Sequence, residues 1–92
     1  MARHDDIEAA VIGAVLADGD RAMPRLVRAG VEDAWLRDPA AATVLKVAFA
    51  LYAAGRPVNL ATVYDRLEEA GSEISRRQLE EELRRFEENV RR

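Results

Sequence analysis

Cysteine is absent from this sequence, and histidine occurs once, as His4. Without cysteine the chain can form neither a disulfide framework nor a thiolate metal site, and this composition suits a protein of the cytoplasm. A single histidine near the start has no nearby partner for acid–base chemistry. A glycine-rich phosphate-binding loop is also missing. We therefore expect no catalytic residue, no metal site and no bound cofactor, and we predict that the chain is not an enzyme.

Long apolar runs are missing as well. No run approaches the roughly 18 residues that a membrane-spanning helix needs, and the charged start does not resemble a signal peptide. Charged residues make up 34% of the chain, and the net charge is −3. A mildly acidic domain binds nucleic acid poorly unless its basic residues gather on one face. We expect neither membrane insertion nor strong direct binding to nucleic acid.

The apolar residues that are present recur at helical spacing, and no stretch alternates as a strand does. This pattern therefore predicts that residues 1–92 form a single all-α domain of about five helices. Its most apolar stretch, 38–54, has Asp38 as N-cap, Pro39 at the first helical position and Gly55 just past the end. A helix that is apolar over most of its circumference is surrounded by others, so we place 38–54 at the centre of the bundle.

Two shorter helices are predicted before the central one. Asp5 and Glu8 have the spacing of a capping box, and turn residues at 17–20 separate the first helix from a second near 21–29. Gly13 lies inside the first helix, where glycine is about 1 kcal/mol less favourable than alanine. We infer that a neighbouring helix passes close to Gly13.

The last predicted helix, 75–92, is highly charged. Asn59 caps the helix that precedes it, and Ser75 with Gln78 forms a capping box at its own start. Its apolar residues form a narrow seam of coiled-coil spacing: Leu79, Leu83, Phe86 and Val90. We expect the first two to pack on the protein's own core and the last two to lie beyond it. We predict that this seam is the interface of a homodimer.

The predicted core combines large apolar residues from every helix. Trp35, in the connector before the central helix, is expected to cover the open end of the core. The predicted core residues are Val11, Leu16, Trp35, Leu45, Phe49, Leu51, Tyr52, Val63 and Leu67.

Three stretches carry a family resemblance in one order along the chain. Residues 8–16 combine an acidic residue, an apolar pair, a glycine and an apolar tail, and residues 32–39 lead into the central helix. Residues 51–63 carry the order Leu-Tyr, Gly, Pro-Val, Asn-Leu, Thr-Val. Together they resemble the N-terminal domain of DnaB-type replicative helicases, over a core at residues 8–71.

The resemblance implies a scaffold role in a helical collar. Domains of that collar pair with one another and dock primase, a helicase or a helicase loader. The chain departs from the family at Ala41 and Ala42, where the family commonly has a His-Arg pair, and in the charged helix 75–92. These 92 residues contain no ATPase domain, so unwinding activity is not implied.

Two alternatives remain at this point. Residues 61–71 resemble the recognition helix of some small winged-helix repressors. That helix would bring Asp65, Glu68 and Glu69 toward phosphate, against the electrostatic attraction that dominates DNA affinity, and no pair of strands follows it. The second alternative is a plain oligomerisation domain without a role in replication.

Overall fold

The computed structural model describes the backbone of residues 4–90 and the side chains from Ile7 to Val90. Over this range the chain contains helices and no strand, which confirms the predicted all-α class. Four α-helices form, because the first two predicted helices are joined. The elements are α1 (His4–Arg28), a 3-10 turn (Asp33–Trp35), α2 (Pro39–Ala53), α3 (Leu60–Glu69) and α4 (Arg76–Val90).

Helix α1 is kinked at Asp18, where φ is −155° and ψ is 67°. This kink lies within the turn predicted at 17–20, and it divides α1 into a first and a second arm. A Cβ on Gly19 would lie 2.3 Å from the carbonyl oxygen of Val58. The Asp20 carboxylate accepts a hydrogen bond of 3.0 Å from the Val58 N–H. The residues that follow the kink therefore contact and fix the segment at Val58, which leads into α3.

The Glu8 side chain fastens the start of α2 to α1. Glu8 is only 4% exposed, and its Oε1 accepts hydrogen bonds from the N–H groups of Arg37 at 2.7 Å and Asp38 at 3.1 Å. Glu8 thus binds two backbone donors that are distant in sequence, and the capping box with Asp5 stays a prediction. The side chain of Asp5, the other half of that prediction, lies outside the described side chains.

Three predicted helix starts are confirmed. Asp38 caps α2 by accepting a hydrogen bond from the backbone N–H two residues later. Asn59 caps α3 by accepting a bond of 3.0 Å from the N–H of Thr62. Ser75 and Gln78 form reciprocal bonds at the start of α4, of 2.7 Å and 3.2 Å. Each cap satisfies backbone donors that the helix itself leaves unpaired.

Helices α1 and α2 share the centre of the domain. Helix α2 packs against α1, α3 and the 3-10 turn, and it buries several of its side chains, as its apolar composition predicts. Helix α1 is the one that contacts all three other helices, and its largest interface is with α4. The position of α4 on α1 decides which side chains of both helices remain exposed.

The predicted core residues lie at different depths. Trp35 is 57% exposed and Tyr52 is 38% exposed, so placing these two in the core was wrong. The 3-10 turn that carries Trp35 packs against α2, and among the described elements no other helix packs against this turn. Tyr52 lies near the end of α2. Of the others, Leu16, Leu45, Leu51, Val63 and Leu67 are buried, and Val11 and Phe49 are half-buried against them.

Candidate protein-interaction surface

The side chains of residues 7–90 bring together no group of three or more His, Cys, Asp or Glu residues that could hold a metal ion. The side chain of His4 lies outside the described side chains. No helix in the described part of the chain is long and apolar enough to cross a membrane. This part does present large apolar side chains to solvent: Ile7, Val27, Trp35, Tyr52 and Val90.

The predicted dimer seam of α4 is divided between the core and the surface. Leu79 is 2% exposed and belongs to the core, and Leu83 is half-buried against it. Phe86 is half-buried, whereas Val90 at the end of the helix is 66% exposed. The four residues therefore do not form one continuous exposed seam, and Val90 is its free end.

Phe86 packs against α1 at Gly13. A Cβ placed on Gly13 would lie 2.3 Å from the Cβ of Phe86 and 2.5 Å from its Cγ. The close helix approach predicted at Gly13 is therefore confirmed. The expectation that Phe86 lies beyond the globule is wrong, because α4 crosses α1 closely enough for the ring to reach it. Phe86 cannot serve both as a fully exposed dimer contact and as this packing residue.

Both arms of α1 line one apolar groove, with Phe86 of α4 at its side, and we call it the α1 groove. Its volume is about 480 Å³. The first arm contributes small and branched apolar side chains, including Ile7, Ala10, Val11 and Ala14. Ile7 is 54% exposed, although an isoleucine at this position of a helix would ordinarily pack against a neighbour. The groove is therefore an exposed, mainly apolar concavity that runs along α1.

The charged residues of the α1 groove follow its apolar first arm. Asp18 lies at the kink, and Arg21 and Arg25 line the second arm beside the apolar Leu26. Neither arginine forms an ion pair with any side chain in the described range. Because Arg21 and Arg25 are four residues apart, their side chains lie on the same face of the helix. The groove thus has an apolar end and a basic end.

The charges on the outer face of α4 are arranged differently. Arg84 donates hydrogen bonds to Glu81 at 2.8 Å and to Glu88 at 3.1 Å. The hydrogen bond from Arg84, together with its positive charge, lowers the pKa of the Glu81 carboxyl below its usual value. Arg76 and Glu80 form another exposed pair at 3.3 Å. Exposed pairs of this kind contribute little to stability, so this face is a solvated, internally paired surface.

Helix α3 does not present a DNA-binding face. Asp65, Glu68 and Glu69 are all exposed on it. The chain continues from α3 into α4, and no strand forms within residues 4–90. The wing of a winged-helix repressor is therefore missing from the described structure, and the exposed carboxylates would repel phosphate.

The α1 groove is the feature that the sequence analysis missed. The turn at 17–20 was interpreted as a break between two helices, so the arms were not considered as one face. A signal was present in the spacing of Ile7, Val11, Ala14, Asp18 and Arg21, which alternates between four and three residues. That spacing marks one side of a helix that continues across the kink.

Residues 1–89 match a family model that is described as the DnaB-like helicase N terminal domain. The match covers α1 through α4 in order and includes the charged last helix. A search of curated proteins and a search of solved structures each found no match.

Proposed function

Because the chain belongs to the family of DnaB-like helicase N-terminal domains, we propose that it is a non-catalytic protein–protein interaction domain of the kind that forms the collar of a replicative helicase. The family match over residues 1–89 is the observation that carries the proposal. The apolar lining of the α1 groove supports it, since contiguous exposed apolar surface on a small domain often marks an interaction site. The proposal assigns no catalytic residue or cofactor to this chain and places it in the cytoplasm.

Self-association is the first part of this function. We propose a homodimer that joins the ends of two α4 helices. Val90 supports this interface because it is 66% exposed one turn beyond Phe86, at the point where the seam leaves the domain. A two-fold dimer is the commonest closed assembly, and it would place the same end of α4 from both copies against each other.

Docking of a replication protein is the second part. The family resemblance implies primase, a helicase or a helicase loader as the partner. The proposal needs a surface that is free in the dimer, and Val90 is not among the residues that line the α1 groove. Direct binding to nucleic acid is not part of the function, because the exposed face of α3 is acidic.

Light scattering over a concentration series tests the dimer. We expect wild type to approach twice the monomer mass at high micromolar concentration, and Val90→Glu to remain a folded monomer. Val27→Glu is a matched control, because Val27 is also an exposed helical valine, 50% exposed on α1. Phe86→Glu is unsuitable because it would disturb the packing at Gly13. A wild-type monomer at every concentration contradicts the dimer.

Pull-down experiments with purified primase, helicase and helicase loader from the same source test the docking. We expect one of these proteins to be retained by the immobilised domain. If the domain dimerises and retains none of them, plain oligomerisation becomes the better description. Nucleotide hydrolysis by the purified chain would contradict the non-catalytic assignment.

A further inference from the structure

We propose that the α1 groove binds an amphipathic helix from a partner protein, with an apolar stripe at the Ile7 end and carboxylates that pair with Arg21 and Arg25 at the other end. The inference rests on the proposed function as an interaction domain. It goes further by naming the surface and the chemistry of the partner.

The apolar end of the groove is shaped to receive a helix. Ile7 is 54% exposed, and the small side chains of Ala10 and Ala14 lie beside it along the same lining. Axes of packed helices approach to about 8–10 Å, and small side chains permit the closer distances. Phe86 forms a side wall against which a large apolar side chain of the partner can pack.

The length of the groove also fits a helix. From Ile7 to Arg25 the lining follows α1 for about 27 Å at 1.5 Å per residue, before the kink at Asp18 shortens the span. A partner helix of about five turns, or about 18 residues, covers both the apolar and the basic end. A short loop or a single inserted side chain would reach only one of them.

The basic end gives the partner its charge and its direction. Arg21 and Arg25 lie on one face and have no ion-pair partner among the described side chains. A guanidinium binds a carboxylate in a two-point geometry, so two acidic residues four apart on the partner would match the two arginines. Asp18 lies between the apolar and basic ends, and it disfavours any register that places a carboxylate in the middle.

A second copy of this chain fits the groove less well. Its amphipathic helix α4 already buries Leu79 in its own core and packs Phe86 against its own α1. The α4 carboxylates of Glu81 and Glu88 are already paired with Arg84. Helix α3 likewise buries its apolar face in its own core. A different protein is therefore the better occupant.

Selection from a displayed library of amphipathic helices of about 18 residues tests the proposal on the whole domain. The library keeps an apolar stripe and randomises the flanking positions. We expect the retained helices to carry two carboxylates near one end. The strongest is then synthesised with a fluorescent label, and its affinity is measured by anisotropy.

Charge reversal tests the basic end. We expect the double variant Arg21→Glu, Arg25→Glu to bind the labelled helix at least about tenfold more weakly, because like charges then face each other. The control is Lys46→Glu with Arg56→Glu, which makes the same change in net charge at exposed positions outside the groove. We expect this control to bind as wild type does.

A second pair of variants tests the apolar end. Ile7→Asp should weaken binding by at least about tenfold, whereas Val27→Asp should leave it unchanged. The two positions are similarly exposed, at 54% and 50%, but Val27 does not line the groove. Circular dichroism of each variant verifies that the domain is folded.

Several results would overturn the proposal. The proposal fails if the selection retains no helix, or if a retained helix binds the charge-reversed variant with the same affinity as wild type. It also fails if wild type is a dimer and the Ile7→Asp variant is a monomer. Binding to anionic lipid vesicles that is lost on charge reversal would also overturn it, in favour of a membrane surface. If Val90→Glu dissociates the dimer or a replication protein binds, but groove variants change nothing, the groove inference fails while the proposed function stands.

Discussion

Replacement of Gly13 by alanine sets two effects of opposite sign against each other. Alanine favours the helix by about 1 kcal/mol relative to glycine, because it restricts the unfolded backbone. The new Cβ would lie 2.3 Å from the Cβ of Phe86, and real Cβ atoms do not approach so closely. The Cβ of Phe86 is fixed to the backbone of α4, so a change of side-chain rotamer cannot move it away.

Relief of this contact requires α4 to move away from α1 along their interface, which is the largest in the domain. Overpacking of a filled contact destabilises a protein by about 1–3 kcal/mol, and the three short contacts here favour the upper end. After the helix-propensity gain is subtracted, we expect Gly13→Ala to lower the free energy of unfolding by about 2 kcal/mol. For a domain of this size the melting temperature should fall by roughly 8–16 °C.

Urea unfolding monitored by circular dichroism measures this change, with an unchanged dependence on urea if the fold is retained. Ala10→Gly, at an exposed position of the same arm, measures the difference in helix propensity between alanine and glycine without the contact to Phe86. If Gly13→Ala stabilises the domain by as much as Ala10→Gly destabilises it, α4 does not cross α1 at Gly13 and the packing argument is refuted.

Three further predictions follow from other contacts. Leu45→Ala should lower the free energy of unfolding by about 2–5 kcal/mol, because Leu45 is fully buried. Trp35→Ala should change that free energy by less than about 0.5 kcal/mol, because Trp35 is exposed, and thermal melting compares the two variants. Glu8→Ala should lower it by about 2 kcal/mol, since two backbone donors before α2 lose their acceptor, and urea unfolding measures the loss. Arg84 lowers the pKa of the Glu81 carboxyl in the folded state. The pair should therefore stabilise the fold at a pH above the unfolded pKa of Glu81, and this stabilisation should be lost as the pH falls through the lowered pKa. NMR titration of Glu81 in wild type and in Arg84→Gln checks this.

The sequence by itself determined the all-α class and the starts of the last three helices. The capping pairs Asn59 with Thr62 and Ser75 with Gln78 act between residues three apart. Such bonds depend on the local chain alone, so residue type and spacing are enough to predict them. The turn at 17–20 was predicted from its composition in the same way. Its residues could not indicate whether the chain would end a helix there or only bend one.

Tertiary structure decided which faces of these helices are buried and which remain exposed. The Glu8 carboxylate bonds to the backbone N–H of a residue 29 positions away, which no local sequence pattern predicts. The apolar seam of α4 predicted burial, yet only the crossing angle on α1 brought Phe86 against Gly13 and left Val90 exposed. The same kink and crossing made a groove from residues whose sequence spacing was visible but whose common surface was not. Helical periodicity defines which residues share a face, whereas the packing of distant elements decides whether that face is covered.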